Sequence, residues 1–224
     1  MTRPRIAALA CCAWIAGGAA VARAQTVPAG SARFELSGGV AWTGTTSLGD
    51  RPATLTPLSG DRFRLFTTSN ELASAPGIEA GFALAVSPSL DVFAAASYGR
   101  PSLRTEVGAD VEGAGEVTIE DRVQQLSIAG GIRWHLRRRI AGGAPVLEGG
   151  CGYLRELHAG DTLAVNGQTC YGGAGLDFML NSSASRRRVG IRAEARALVR
   201  TRGVAFDNGT HVTPVAAASV FVRF

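Results

Sequence analysis

The sequence predicts an all-β protein: an eight-stranded antiparallel transmembrane β-barrel that follows an N-terminal signal peptide. Two observations support this prediction. The 224-residue chain begins with an apolar segment that ends in a cleavage-type sequence, and strictly alternating apolar and polar residues recur from there to the last residue. A period of two is typical of strands, because successive side chains point to opposite faces. One face can then meet hydrocarbon while the other lines a polar interior.

The first 24 residues have the layout of a secretory signal peptide. Arg3 and Arg5 form a positively charged start, residues 6–21 are apolar or small, and 22–24 read Ala-Arg-Ala, a cleavage site. A membrane-spanning helix would need about 20 apolar residues, more than this run supplies. We therefore predict that residues 1–24 direct export and are removed.

Removal of this segment changes the charge of the protein. The formal charge falls from +5 to +2, because three arginines and no acidic residue leave with it. So small a charge gives no support for nucleic-acid binding. The remaining chain divides into a short periplasmic leader, residues 25–31, and one barrel domain, residues 32–224. No later stretch is apolar enough for a membrane helix, which leaves a soluble, an anchored or a barrel protein.

Each predicted strand rests on its own alternation. Apolar or small residues occupy every second position, and the positions between them carry polar, charged or small residues. The segments are approximately 34–43, 78–86, 90–106, 126–136, 147–154, 170–180, 189–199 and 214–224. An even number of strands places both chain ends on the same side, which is the periplasm in a bacterial barrel.

The connections between these strands differ in length between the two ends of the predicted barrel. On the side away from the chain ends we expect the extracellular loops, which are 45–75, 107–119, 158–163 and 203–211. The connections on the other side are 87–89, 137–143 and 181–188. The two longest connections are extracellular, which is typical of membrane barrels and has no reason in a soluble sandwich. Phe63, Leu65 and Thr67 can extend a hairpin above the membrane.

Charged residues share one parity along the strands, and we expect them to point into the barrel. Eight strands leave a lumen just wide enough for side chains to fill, and buried charges must pair. We interpret the set as a salt-bridged plug, with a gated ion path as the alternative. The predicted lumen residues are Glu35, Glu79, Arg133, His135, Glu148, Asp177, Arg192, Glu194, Arg196 and Arg223.

The opposite parity lacks charge along 126–136, 170–180 and 189–199, as contact with lipid requires. Trp42 and Trp134 lie near predicted strand ends, where aromatic girdles occur. A place in an apolar core fits these two residues equally well.

The mature chain contains two cysteines, Cys151 and Cys170, at nearly equal distances from a predicted turn near Gly160. Antiparallel pairing can place them opposite each other, within the ~5.5 Å between α-carbons that a disulfide needs. An exported compartment permits the bond. We predict a cross-strand disulfide, with two free outward thiols as the alternative. The cysteine and histidine spacing does not favour a zinc site.

The whole arrangement resembles the small eight-stranded outer-membrane barrels, the group of OmpX and the transmembrane part of OmpA. The glycine-rich run 149–160 and the run 203–212 are similar to stretches of uncharacterised barrels of this kind. The last strand, ending on Phe224, resembles the closing strand that the barrel-insertion machinery reads. The resemblance implies residence in the bacterial outer membrane and contact with its lipid. We expect a monomer with no cofactor.

No sequence motif assigns a chemistry, so we expect no catalytic residues. The predicted role is structural or surface-interacting, with the first long loop as the binding element. The alternatives are a small-solute or ion channel and a lipid A-modifying barrel enzyme. For the enzyme, His158 and His211 lie near extracellular strand ends, with Glu156 and Asp207 close in sequence.

Overall fold

The protein is described by a computed structural model. The structure describes residues 34–55, 63–108, 117–158, 164–180, 187–202 and 210–224. The predicted signal peptide 1–24 and leader 25–31 lie outside the described residues. Among the residues that are described, no helix is long and apolar enough to cross a membrane.

Twelve β-strands make up the described chain. In chain order they are β1 (Phe34–Thr43), β2 (Thr46–Leu55), β3 (Phe63–Leu72), β4 (Ala75–Ser87), β5 (Leu90–Gly99), β6 (Ser102–Gly108), β7 (Val117–Arg122), β8 (Gln124–His135), β9 (Ala144–Leu157), β10 (Ala164–Met179), β11 (Arg188–Arg202) and β12 (His211–Arg223).

Eight of these strands close into an antiparallel barrel in the order β1-β12-β11-β10-β9-β8-β5-β4. The first strand pairs with β4 on one side and with β12, the last strand, on the other. The all-β class, the eight barrel strands and their closure are therefore confirmed.

The other four strands form a separate antiparallel sheet in the order β2-β3-β6-β7. The prediction of a long polar loop over 45–75 was wrong, because β2 and β3 pair there. The expectation that Phe63, Leu65 and Thr67 extend a hairpin is confirmed, because all three lie in β3. The predicted strand 90–106 is two strands, and the predicted loop 107–119 includes the end of β6 and the start of β7. Pro101 lies at the break and has no N–H to donate to the barrel ladder. Its carbonyl instead accepts from the N–H of Val123 at 2.9 Å.

A small apolar core holds the base of this second sheet, which we call the surface sheet. It consists of Leu48, Leu72, Leu103 and Val123, which are all buried. The Oγ1 atoms of Thr46 and Thr213 lie 2.5 Å apart and join the base of the sheet to β12. The surface sheet is therefore anchored on the barrel.

Side chains on the barrel strands alternate between the lumen and the outside. The outward ones are apolar or small and largely exposed, as for Ile78 at 62% and Val40 at 60%. Trp42 and Trp134 both face outward, exposed by 53% and 56%, near opposite ends of the barrel. They occupy girdle positions, and the alternative of a core position was wrong.

The connections at the end of the barrel nearer the chain ends are short. Residues 88–89 form a turn, and residues 136–143 form a hairpin closed by Ile140 and Gly143. The third connection, predicted at 181–188, falls outside the described residues at 181–186. Most of the predicted loop 158–163 and most of the predicted loop 203–211 also fall outside the described residues, at 159–163 and at 203–209.

Candidate functional site: a charge network in the lumen

A cluster of ion pairs crosses the lumen in the half of the barrel nearer Phe34. Arg192 is 1% exposed and donates to both oxygens of Glu35, at 2.7 and 3.1 Å. It also donates to both oxygens of Asp177, at 2.6 and 3.0 Å. Arg223 donates to the same two carboxylates at 2.7 and 2.8 Å. Bidentate pairs of this kind are the strongest that carboxylates form with arginine.

Strand register brings these four residues together. Asp177 lies directly opposite Arg192 across β10 and β11, and Glu35 lies opposite Arg223 across β1 and β12. The two remaining pairings, Arg192 to Glu35 and Arg223 to Asp177, each join strands that are separated by one other strand. We call these four residues the lower layer.

The ring of Phe221 lies between the two arginines of the lower layer. The guanidinium carbons of Arg192 and Arg223 are 4.7 and 4.6 Å from its centroid, at cation–π distance. Its cross-strand partner is Gly190. A Cβ added at Gly190 would lie 2.4 Å from the Phe221 ring, so glycine is what leaves room for it.

Arg133 links the lower layer to a second set of charges. It donates to Glu35 at 3.0 Å and to Glu148, its cross-strand partner, at 3.2 Å. Glu194 lies 3.8 Å from the same guanidinium. The guanidinium carbon of Arg133 is 4.9 Å from the ring centroid of Phe93.

Arg196 completes this second set. Its two terminal nitrogens donate to Glu79 at 2.6 and 2.8 Å, and one of them also contacts Glu194. Its Nε lies 2.6 Å from Glu148. The cross-strand partner of Arg196 is Gly173, where a Cβ would lie 2.6 Å from a backbone oxygen and 2.8 Å from the arginine itself. The upper layer is defined as Arg133, Arg196, Glu79, Glu148 and Glu194.

His135 contacts the network at its edge. Its Nε2 lies 2.6 Å from Asp91, and its Nδ1 lies 3.9 Å from Asp177. The structure thus places all ten lumen residues proposed from the sequence at inward positions, each in contact with another member of the set. Asp91 was missed, although its position between Leu90 and Val92 in an alternating segment was a usable signal.

A further buried pair, also missed, lies nearer the surface sheet. Arg200 donates to Glu156, and the side-chain amide of Gln125 donates to the same carboxylate at 2.7 Å. Glu156 is fully buried and therefore is not an open acid beside His158, as the enzyme alternative requires. Asp207, the other acid of that alternative, lies outside the described residues.

A cavity of about 110 Å³ lies between this pair and the upper layer. Glu79, Tyr171 and Arg196 line it, together with Ser97 and Ser127, whose hydroxyl oxygens are 2.7 Å apart. A cavity of this size has room for several water molecules, and the polar groups in its lining can bond them.

Cys151 and Cys170 lie directly opposite each other across β9 and β10 and form a disulfide, with their α-carbons 4.0 Å apart. The predicted bond is confirmed, and the alternative of two free thiols was wrong. Both residues have outward parity, so the bond lies on the apolar side of the sheet. Within the described parts of the chain, no group of three or more His, Cys, Asp or Glu residues could hold a metal ion.

The fold has counterparts among solved structures. The crystal structure of the outer membrane protein OprG from Pseudomonas aeruginosa is similar with a TM-score of 0.50 and 13% sequence identity, covering 86% of this chain and 95% of that chain. The crystal structure of Neisserial surface protein A (NspA) has a TM-score of 0.49 and 14% identity, covering 85% and 97%. No family model matches the sequence, and no curated protein matches it. The chain has the fold of the small outer-membrane β-barrels.

Proposed function

We propose that the protein is a monomeric barrel of the bacterial outer membrane, sealed by paired charges and active at the cell surface through its surface sheet. The observation that carries the proposal is the two-layer charge network. It fills the lumen with paired charged side chains and leaves Arg155 as the one charged residue among the described outward positions of the barrel strands.

The outer face fits a bilayer. Among the described outward positions of the barrel strands, the one charged residue is Arg155, which occupies the next outward position of β9 after Tyr153. The outward apolar positions of β1 run from Phe34 to Trp42. That span is about 27 Å along the strand, or about 20 Å along the axis at the usual tilt of barrel strands. It is close to the height of the apolar band that such barrels present to lipid.

The lumen supports a sealed rather than a conducting barrel. The lower layer connects β1, β10, β11 and β12 through Arg192, and the upper layer extends the contacts to β4, β8 and β9 through Arg133 and Arg196. An ion that crossed would have to break several charge-assisted hydrogen bonds in succession. Glu79 and Arg196 line the cavity of about 110 Å³, and the void that they line together with Glu35 and Arg133 measures only about 10 Å³.

The surface sheet supports the interaction role. It projects from the barrel end opposite to Phe224, so in a barrel of this orientation it stands outside the cell. One face carries a cross-strand ladder in which Arg104 bonds Glu120 at 2.7 Å and lies 3.9 Å from Glu71. These three side chains are exposed, which makes the ladder available to a partner.

Single-channel recording in planar bilayers tests the seal. We expect no conductance steps from the native protein, and steps of ion-channel size from it would refute the proposal. The variant E35A/R192A/E79A/R196A removes two acids and two bases, so the net charge of the lumen is unchanged while both layers are thinned. We expect it to conduct. The matched control R104A/E120A removes an exposed pair and should stay silent.

Labelling on intact cells tests location and orientation. A cysteine at Glu120, in the surface sheet, should react with a membrane-impermeant maleimide on intact cells. A cysteine at Arg138, in the short hairpin 136–143, should react only after the outer membrane is permeabilised. The reverse pattern, or equal labelling in a soluble periplasmic fraction, would contradict the proposal.

Two parts of the proposal concern the chain ends. We propose that residues 1–24 are cleaved, so the mass of the exported protein should correspond to a chain that starts at Gln25. We also propose that Phe224 addresses the barrel to the insertion machinery, so F224A should slow assembly while the assembled barrel keeps its stability.

A further inference from the structure

The rim of the barrel nearest the chain ends is rich in arginine. Arg137, Arg138 and Arg139 lie in succession in the β8–β9 hairpin, and all three are exposed. Arg187 and Arg188 lie at the start of β11. The sequence contains no acidic residue in 136–143 or in 180–188. The charged side chains of these two segments are therefore all positive.

The hairpin that carries three of these arginines is held by backbone hydrogen bonds. The N–H of Ile140 donates to the carbonyl of Gly143 at 2.9 Å, and the N–H of Gly143 donates back at 2.9 Å. Ala141 and Gly142 between them have φ angles of 50° and 81°, as a two-residue type I′ turn requires. The N–H of Leu136 donates to Pro145 at 2.9 Å, which continues the barrel ladder into the hairpin.

The hairpin lies beside β10. A Cβ added at Gly143 would be 3.0 Å from the ring of Phe178, so the two segments are in close contact. Arg187 lies over the ring of Phe224, with 5.6 Å between its guanidinium carbon and the ring centroid. Both arginine groups thus stand at the same end of the barrel, on strands separated by β10, and Arg187 contacts an aromatic ring.

Exposed apolar residues are interleaved with these arginines. Ile140 at the hairpin tip is 53% exposed, Leu180 62% and Phe224 43%. Trp134 and Leu136 join them to the apolar outer face of β8. Apolar side chains and guanidinium groups together are typical of the level where lipid tails meet headgroups.

We propose that this rim, formed by Arg137, Arg138, Arg139 and Arg187, is a docking surface for the anionic phospholipid headgroups of the periplasmic leaflet. The inference rests on the proposed function, which sets the orientation of the barrel. Guanidinium groups bind phosphate oxygens in bidentate fashion. The continuity of the rim with the apolar belt favours lipid over a periplasmic partner, because it holds the arginines at headgroup depth.

Tryptophan quenching by spin-labelled lipids tests the inference. In the variant W14F/W42F, Trp134 is the only tryptophan and lies at this rim. The barrel is placed in phosphatidylcholine vesicles that contain equal mole fractions of spin-labelled phosphatidylglycerol or spin-labelled phosphatidylcholine. We expect phosphatidylglycerol to associate about two- to fivefold more strongly at Trp134. In the variant R137Q/R138Q/R139Q we expect the ratio to fall toward one.

Matched controls separate this rim from general charge effects. R51Q/R64Q/R122Q removes three exposed arginines of the surface sheet and should leave the ratio at Trp134 unchanged. The variant W14F/W134F reports from Trp42, at the other end, where the ratio should be near one. If the glutamine variant fails to fold, 1 M salt on the parent protein should abolish the preference through screening.

Equal quenching by the two lipids in the parent would overturn the inference and would assign the rim to a protein or cell-wall partner. A preference that survives both R137Q/R138Q/R139Q and high salt would overturn it as well. Absence of quenching by either lipid would mean that the barrel does not enter the bilayer, and the proposed function would then fail first.

Discussion

The substitution R192M tests how much the lower layer of the network stabilises the barrel. Arg192 makes four hydrogen bonds of 2.6 to 3.1 Å to two carboxylates and is 1% exposed. Methionine preserves most of the volume but leaves Glu35 and Asp177 short of positive charge. Breaking a buried pair in this way costs about 3–5 kcal/mol. We expect about 3 kcal/mol, because Arg223 still contacts both carboxylates.

The assay is equilibrium urea unfolding in lipid vesicles, followed by tryptophan fluorescence, since Trp42 and Trp134 leave the lipid when the barrel unfolds. The matched control is R104M, which removes an arginine bonded to Glu120 at 2.7 Å but 45% exposed. It should cost about 0.2–1 kcal/mol. The double variant R192M/D177N should recover about 1 kcal/mol, because it removes one of the unpaired charges. Equal costs for R192M and R104M would refute the reasoning.

Three further predictions concern the wall of the barrel. G173A should destabilise the barrel by about 1–3 kcal/mol in the same urea assay, because the new Cβ would lie 2.6 Å from a backbone oxygen. The control G172A should change the stability by less than about 0.5 kcal/mol, because its Cβ would have no neighbour within 4 Å. C151S/C170S should cost about 3 kcal/mol, because the disulfide closes a loop with a sequence separation of 19, and an unchanged midpoint would show that the bond does not constrain the unfolded chain. A195R places a charge on the outer face and should cost about 2–4 kcal/mol, while a negligible cost would place this face away from lipid.

The barrel could be predicted from the sequence because its two environments differ so strongly. Lipid on one side and paired charges on the other impose a two-residue period, as in 189–199, where Ala193, Ala195 and Ala197 alternate with Arg192, Glu194 and Arg196. The same period identified Cys151 and Cys170 as outward residues of neighbouring strands. Short connections then fixed which strands are adjacent.

The surface sheet could not be predicted in the same way. Beyond the four apolar residues at its base and the buried Thr46 and Asn70, its described residues are exposed or half-buried, so neither face has to be apolar. The hairpin of β2 and β3 therefore has no strong alternation, and Pro52 and Gly49 within β2 resemble loop residues. The pairing of β3 with β6 joins two connections that are distant in sequence.

Which arginine pairs with which carboxylate inside the lumen also could not be predicted from the sequence. Parity indicates that Glu35 and Arg192 point inward, but they are 157 residues apart and meet only through the barrel's shear and closure. Glu156 illustrates the same limit, since its partner Arg200 comes from β11. The sequence reveals which residues are candidates, whereas the three-dimensional register decides which carboxylate each arginine neutralises.

In the proposed barrel, each strand separates lipid on its outer side from a closed polar interior. Neighbouring alanines of β12 test this separation in the native sequence. Ala216 and Ala218 face outward and are exposed, whereas Ala217 between them faces the lumen. In a barrel with methyl-labelled alanine in lipid nanodiscs, we expect nuclear Overhauser contacts to acyl chains from Ala216 and Ala218. We expect contacts from Ala217 to neither lipid nor bulk water. Lipid contacts at Ala217, or water contacts at Ala218, would contradict the account.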